Sequence, residues 1–235
     1  MIAVTRRTAG ITALVVFAAA LAGCGNKEPE QRKAFIAFLQ TRILDKQGAR
    51  APKPSEAEIK SFGVYAEHYA VITGFNAEID AAMSGAYRLS ESMAPRSLQE
   101  LLERRQDVAA MRDSLSKSVD LLRNTLAATQ VRREALRQPD DFKPVYTAAY
   151  DRSVTAPALA YLATVPVAIE GLTLSLKLAD YLNNNRSTIK VSGSSIDAKN
   201  ARARADVNRM MNEMNGHRQK LNEARQRMRI VFEGN

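Results

Sequence analysis

The sequence predicts a mainly α-helical bundle of four or five long helices, and three observations carry that prediction. Apolar residues recur at three- and four-residue steps, or at strict seven-residue intervals, over most of the chain. Prolines mark a few boundaries, near 52–54, 95 and 139–144, and serine or aspartate helix-start signals follow them. Only the stretch 187–196 mixes β-branched residues with glycine and serine, as a small β-hairpin or a loop would.

The chain opens differently. Arg6 and Arg7 precede an apolar run from Ile11 to Leu21, which leads into Leu21-Ala22-Gly23-Cys24. Roughly eleven apolar residues are too few to cross a bilayer as a mature helix but suit the core of a secretory signal. Small residues before the sole cysteine are the mark of a bacterial lipoprotein. We therefore expect a signal peptide over 1–23, lipidation of Cys24, a short tether over 24–29 and a single helical-bundle domain over 30–235. Each buried methylene contributes roughly 0.8 kcal/mol, so two or three acyl chains on Cys24 hold a membrane far more firmly than one. The tether reaches no more than about 20 Å. The body is thus expected beside its own membrane, in the cell envelope and facing the periplasm. Gly25 and Asn26 stand where an inner-membrane lipoprotein commonly has an aspartate, which leans towards the outer membrane.

Helical sequence begins near Glu30, where Phe35, Phe38, Leu39 and Ile43 share one face, and it ends near Gly48. After Pro52 and Pro54, Ser55 and Glu58 make a capping-box pattern. It opens a second helix along Ile59, Phe62, Tyr69, Ile72, Phe75, Ile79 and Met83, weakened by Gly63, Gly74 and Gly85. Beyond Pro95, Ser97 and Glu100 repeat the capping pattern before a long helix to about Gln138. Its Leu101, Val108, Leu115 and Leu122 lie seven apart, the spacing of a shallow coiled-coil-like seam. Its arginines, including Arg104, Arg105 and Arg133, are expected on solvated faces.

Pro139-Asp140-Asp141-Phe142-Lys143-Pro144 reads as a turn and helix start with an aspartate cap. The most apolar mature segment follows, from Val154 to Leu178, interrupted by Glu170 and Lys177. Its uncharged part barely reaches spanning length, so a central helix buried on most sides is the better expectation. Asn183-Asn184-Asn185 ends it. Asp197 is expected to cap a final helix on which Val207, Met214, Leu221 and Met228 again lie seven apart.

The chemistry-bearing residues argue against an enzyme. His68 and His217 are the only histidines, fall on different helices and lack the spacing that sets two metal ligands on one face. His68 is expected at a surface or interface. Ser192-Gly193-Ser194-Ser195 lacks the strand-to-helix setting of a serine nucleophile, and the adjacent Asp140 and Asp141 read as caps. No phosphate-cradling glycine loop is present, so no catalytic residue, cofactor or metal is assigned. One cysteine excludes a disulfide within the chain. The formal charge is +9, and +7 once Arg6 and Arg7 are gone. For an exported chain that excess points to anionic lipid, an anionic polymer or an acidic envelope protein rather than nucleic acid. Arg202, Arg204, Arg209, Arg218, Arg225 and Arg229 on the final helix are the candidate contacts to such a surface.

Residues Gln31-Arg32-Lys33-Ala34-Phe35-Ile36-Ala37-Phe38-Leu39-Gln40, then Asp140-Asp141-Phe142-Lys143-Pro144-Val145 and Asp180-Tyr181-Leu182, resemble the YiaF-like bacterial lipoproteins. The resemblance runs along most of the mature chain. The final helix departs from it in being richer in arginine and methionine. What it implies is a lipid-anchored envelope protein carrying a domain of unknown function, with no catalytic residues to transfer. The expected role is a non-enzymatic interaction or structural module. The alternative is a carrier of lipid or another apolar ligand, motivated by the uncharged part of the apolar helix 154–178, from Val154 to Ile169.

Overall fold

The computed structural model describes residues 26–93 and 95–234, with residues 81–93 described by their backbone alone. The expected signal peptide and Cys24 lie outside the described residues. Among the described residues, eight α-helices and one two-stranded antiparallel sheet make up the body. Helix α1, Glu28–Leu39, runs on through a π-helical turn, Gln40–Leu44. Helix α2, Glu56–Phe62, opens with the capping box foreseen at Ser55: the Ser55 Oγ accepts from the Glu58 N–H, and the Glu58 carboxylate accepts from the Ser55 N–H.

Gly63 does more than weaken the second helix. It adopts φ +52° and breaks it, so a 3-10 turn, Gly63–Tyr65, separates α2 from α3, Ala66–Met93. Likewise the helix expected from Ser97 to Gln138 is two, α4 (Leu98–Glu103) and α5 (Arg105–Glu134), which meet at Arg104 with φ −105° and ψ 24°. Neither proline nor glycine causes that break. The Arg104 guanidinium donates to Glu100 on one side (3.0 Å) and Asp107 on the other (3.1 Å), bridging the two segments.

Helix α6, Lys143–Tyr150, and α7, Ala156–Asn184, join through a second π-helical turn, Asp151–Thr155, into one 42-residue helical stretch. At 1.5 Å per residue it is about 60 Å long. The expected aspartate cap is absent: Phe142 occupies the N-cap position, and Asp141 instead accepts from Arg32 of α1 at 2.9 Å. A hairpin follows, with β1 (Ile189–Ser192) paired to β2 (Ser195–Ala198) around Gly193 at φ +60°. This settles the hairpin-or-loop question two residues further along than expected. Because Asp197 sits in β2, Asn200 caps α8, Ala201–Glu233, by accepting from the Ala203 N–H at 2.8 Å.

The long helices pack in the order α3, α5, α7, α8, and the predicted seams are only partly buried, with Leu115, Met214, Leu221 and Met228 half-buried. Val108 and Leu122 of α5 and Val207 and Met210 of α8 are buried. The α7–α8 seam also carries polar locks. The Thr164 hydroxyl lies 3.2 Å from the Ala224 carbonyl, and His217 Nε2 donates to the Val167 carbonyl at 2.6 Å.

In this row of helices α7 is open along one stripe, formed by Leu159, Ala163, Glu170, Thr173 and Lys177. The remaining sides are buried or half-buried, so the expected burial on most sides is met in part, with Leu159 left 56 % exposed on the open stripe. This is the one described helix long and apolar enough to cross a membrane by length and composition. Its ties to polar neighbours, including the Arg105–Asp180 fork at 2.5 and 2.9 Å, are those of a packed helix in a bundle.

The densest core lies at the end of the row where α1, α2 and α6 gather. Phe35, Phe62, Phe142, Tyr146 and Tyr150 are all at most 1 % exposed there, with ring centroids 5.0 to 6.3 Å apart along the cluster. These pairs are tilted, and the edge-on contacts beside them, such as Phe35 with Tyr69, add about 0.5–1.5 kcal/mol per pair beyond the area they bury. Arg133, expected in solvent, lies with its guanidinium 4.4 Å from the Tyr150 ring centroid and closes this end.

Candidate functional site

The chain enters the body at this aromatic end, and the features that could meet a partner gather around it. Proline at the start of α1 and two acidic residues in its first turn, Glu28 and Glu30, favour the helix beginning at Glu28, immediately after Lys27. Glu28 accepts a hydrogen bond from the Tyr65 hydroxyl, and Arg32 pairs with Asp141. The entering strand of chain is thereby fixed to the starts of α3 and α6. Burial, followed by the bond to Glu28, pushes the Tyr65 phenol up to about 12, so it remains a donor.

His68 lies at the base of this entrance, 5 % exposed rather than at the surface. Rings of Phe142, Tyr65 and Tyr146 surround it at 5.1 to 5.3 Å. Its Nε2 donates to the Arg137 carbonyl at 3.0 Å, which leaves Nδ1 as a buried lone pair with no partner among the described residues. Burial pushes its pKa below the ordinary value of 6.5, against smaller opposing effects from the Arg137 carbonyl and Glu67. An imidazole in that setting is neutral at pH 7. Along α6 and α7 it stands about 30 Å from His217, so the two histidines cannot share an ion. Among the described residues, no three His, Cys, Asp or Glu side chains converge on a point.

On the other flank of α3, the loop 51–54 overhangs an open groove of about 800 Å³ lined by Pro52, Ile59, Phe62, Tyr69, Ala70 and Thr73, among others. The Tyr69 hydroxyl donates to the Pro52 carbonyl and pins the loop in place. Its charged lining residues are Lys53, Glu67 and Asp80. The sequence had pointed to 154–178 as the source of an apolar site, yet no residue of α7 lines this groove. The lining comes from a loop and two helices with no shared motif, so Pro52, Ile59, Phe62 and Tyr69 read in the sequence as a boundary and a core face rather than as a site.

The six candidate arginines all lie exposed on α8, in two groups rather than one patch. Arg202, Arg204 and Arg209 sit near the hairpin. There Arg209 is already paired with Asp206 at 3.3 Å and Glu213 at 3.4 Å. Arg218, Arg225 and Arg229 sit towards the aromatic end, about 40 Å of helix separating Arg202 from Arg229. Lys220 and Arg227, outside that candidate set, belong with the second group, and so do the exposed Ile230 and Phe232.

A family model described as "Protein of unknown function (DUF3053)" matches residues 11–229. The chain belongs to this family. The DUF3053 span takes in nearly the whole of α8, despite that helix's unusual arginine and methionine content. The proteins described as "Uncharacterized protein YiaF" of Escherichia coli K12, of E. coli O157:H7 and of Shigella flexneri are each 27 % identical over 214 residues, covering 90 % of this chain and 90 % of the relative. The resemblance drawn from Gln31–Gln40 and its companion segments is thereby confirmed at the level of family. No solved structure matches the chain.

Proposed function

We propose that this DUF3053 member is a lipid-anchored protein of the cell envelope that acts as a non-enzymatic interaction module. The observation that carries the reading is the position of the chain entrance. Helix α1 begins at Glu28, four residues after Cys24, and is tied at once into the packed body through Tyr65 and Asp141. An acyl group on Cys24 would therefore hold the whole helical row at the bilayer with almost no free arm. The apolar run and Cys24 also fall inside the span matched by the family model, which supports treating them as part of what these proteins share. Membrane fractionation with intact-mass measurement tests the reading. The natural protein is expected in the membrane fraction with an acyl adduct on Cys24, and Cys24→Ala is expected to be released or left unprocessed. A bare thiol on retained mature protein would defeat it.

The groove under the Pro52–Pro54 loop favours a second reading, a binder of an apolar chain. Its size falls within the range of small-molecule sites, and its lining is mostly aliphatic and aromatic. Mass spectrometry of gently purified protein should then show a co-purifying lipid that Ala70→Phe displaces. A groove empty in both proteins would retire this alternative.

A further inference from the structure

We propose that the corner formed by the C-terminal end of α8 and the 46–50 loop docks on the anionic headgroups of a phospholipid bilayer, with Phe232 and Ile230 entering the interface. The inference rests on the anchored-protein reading for its setting, and it assigns that protein a fixed orientation.

Charge is the first argument. From Gly216 to its end at Glu233, α8 carries Arg218, Lys220, Arg225, Arg227 and Arg229 against two acids, Glu223 and Glu233. All five cations are exposed, and among the described residues no carboxylate lies within 4.0 Å of any of them. The other half of the helix differs, since Arg209 there is bridged to two acids. Arg218, Arg225 and Arg229 follow steps of seven and four and form one edge of the helix, which Phe232 extends; Lys220 and Arg227 form the other, which Ile230 extends.

The second argument is the apolar pair. Ile230 is 48 % exposed and Phe232 42 % exposed, at the end of a helix whose remaining apolar residues face α7 and the core. Arginines beside an exposed aromatic and an aliphatic side chain form the pattern of a helix end at a membrane interface, where headgroups pair with the cations and the acyl boundary receives the rings. A hydrated anionic polymer would neutralise the arginines but offers no apolar layer to Phe232. That difference selects the bilayer.

Placement is the third argument. The Ala49 N–H donates to the Phe232 carbonyl at 3.4 Å, which holds the loop bearing exposed Lys46 and Arg50 against the end of α8. The same loop ends α1 and its π-helical turn, which span residues 28–44, about 25 Å from the chain entrance. A bilayer that receives Cys24 at one end of α1 can therefore receive the basic corner at the other. Two contacts separated by that length fix the direction of the body in a way that one acyl anchor does not.

The sequence contains no tryptophan, so Phe232→Trp provides a sole reporter in the full acylated chain. With vesicles of phosphatidylethanolamine and phosphatidylglycerol containing brominated lipid, we expect quenching and a blue shift at position 232. Ser194→Trp in the hairpin should show neither. Adding Arg225→Glu and Arg229→Glu to the reporter should abolish the quenching while the acyl anchor keeps the protein on the vesicles. In flotation of the unacylated Cys24→Ser chain with residues 1–23 removed, each removed cation should weaken binding about fivefold, and high salt should weaken it further. Because that measurement needs no anchor, loss of the anchor reading and loss of the docking reading are separable. No quenching at 232, or equal quenching on neutral phosphatidylcholine, overturns the proposal; Ile230→Trp repeats the measurement should Phe232→Trp not fold.

Discussion

Arg152 offers a stringent test of how the aromatic end is held together. It sits in the π-helical turn between α6 and α7, and its guanidinium donates through Nε to the Gly48 carbonyl at 3.0 Å and through Nη1 to the Leu44 carbonyl at 3.1 Å. Nη2 donates to the Lys46 carbonyl. One side chain thus caps the end of α1 and clasps the loop that abuts α8. Hydrogen bonds to a charged group contribute about 1.5–3 kcal/mol each, so three fully buried ones would exceed 4 kcal/mol. These are part-buried or exposed, and water will reach the carbonyls once the side chain is cut back, so about 2 kcal/mol is the expected loss for Arg152→Met. For a body of this size, that lowers the melting temperature by about 4–8 °C. Arg152→Lys should fall between the two, because an ammonium cannot serve three diverging carbonyls in a planar fork. Thermal unfolding followed by far-UV circular dichroism measures both variants. If Arg152→Met melts within a degree of the parent, or Lys matches Arg, the clasp contributes little and the reasoning fails.

Further expectations concern the same end of the molecule. His68 is held neutral by burial, so the unfolded chain takes up a proton near pH 6.5 while the native state does not; stability is full above that pH and declines as pH falls below it. Denaturant titrations between pH 7.5 and pH 5, on a scale set by ordinary imidazole titration, should show that decline and a shallower one in His68→Gln; parallel slopes would refute the assignment. Gly48 has φ +80°, and a Cβ there would lie 2.6 Å from the Phe232 carbonyl oxygen. Gly48→Ala should therefore cost at least about 1–2 kcal/mol, measurable as a lower denaturation midpoint, whereas Gly193→Ala, which meets no atom within 4 Å, should carry only the backbone strain of its φ. Phe35→Ala removes a fully buried ring at the centre of the aromatic cluster, and about 3–5 kcal/mol of lost stability is expected in the same assay.

The helices were legible because their signals are local. The face of Phe35, Phe38, Leu39 and Ile43, the seven-residue intervals of α5 and α8 and the Ser55 box all operate within a few turns of one chain segment; the first and last are seen in the structure, and the seams are buried at Val108, Leu122 and Val207 but only half-buried at Leu115, Met214, Leu221 and Met228. The misreadings share a different cause. Asp141 resembles a cap locally, but its partner Arg32 lies 109 residues away; Arg133 resembles a solvated cation until Tyr150 is brought beneath it. Asp197 lost the capping role to Asn200 because the hairpin needed it in β2. The break at Arg104 had no proline or glycine to announce it. Around the candidate site, composition revealed the arginines of α8, yet it could not divide them into paired and unpaired groups or show Phe232 uncovered beside them. The groove was illegible for the same reason, being assembled from Pro52, Ile59 and Tyr69 across three segments.

The uninterrupted 42-residue stretch from Lys143 to Asn184 has a consequence for any macromolecule that recognises this body. It acts as a strut. Its contour is about 60 Å, and packing of α7 along α5 and α8 holds it to those seams despite the π-helical turn and Pro166 within it. A ligand small enough to fill the groove cannot also touch the hairpin, and a protein that grips both must itself be long or engage as more than one copy.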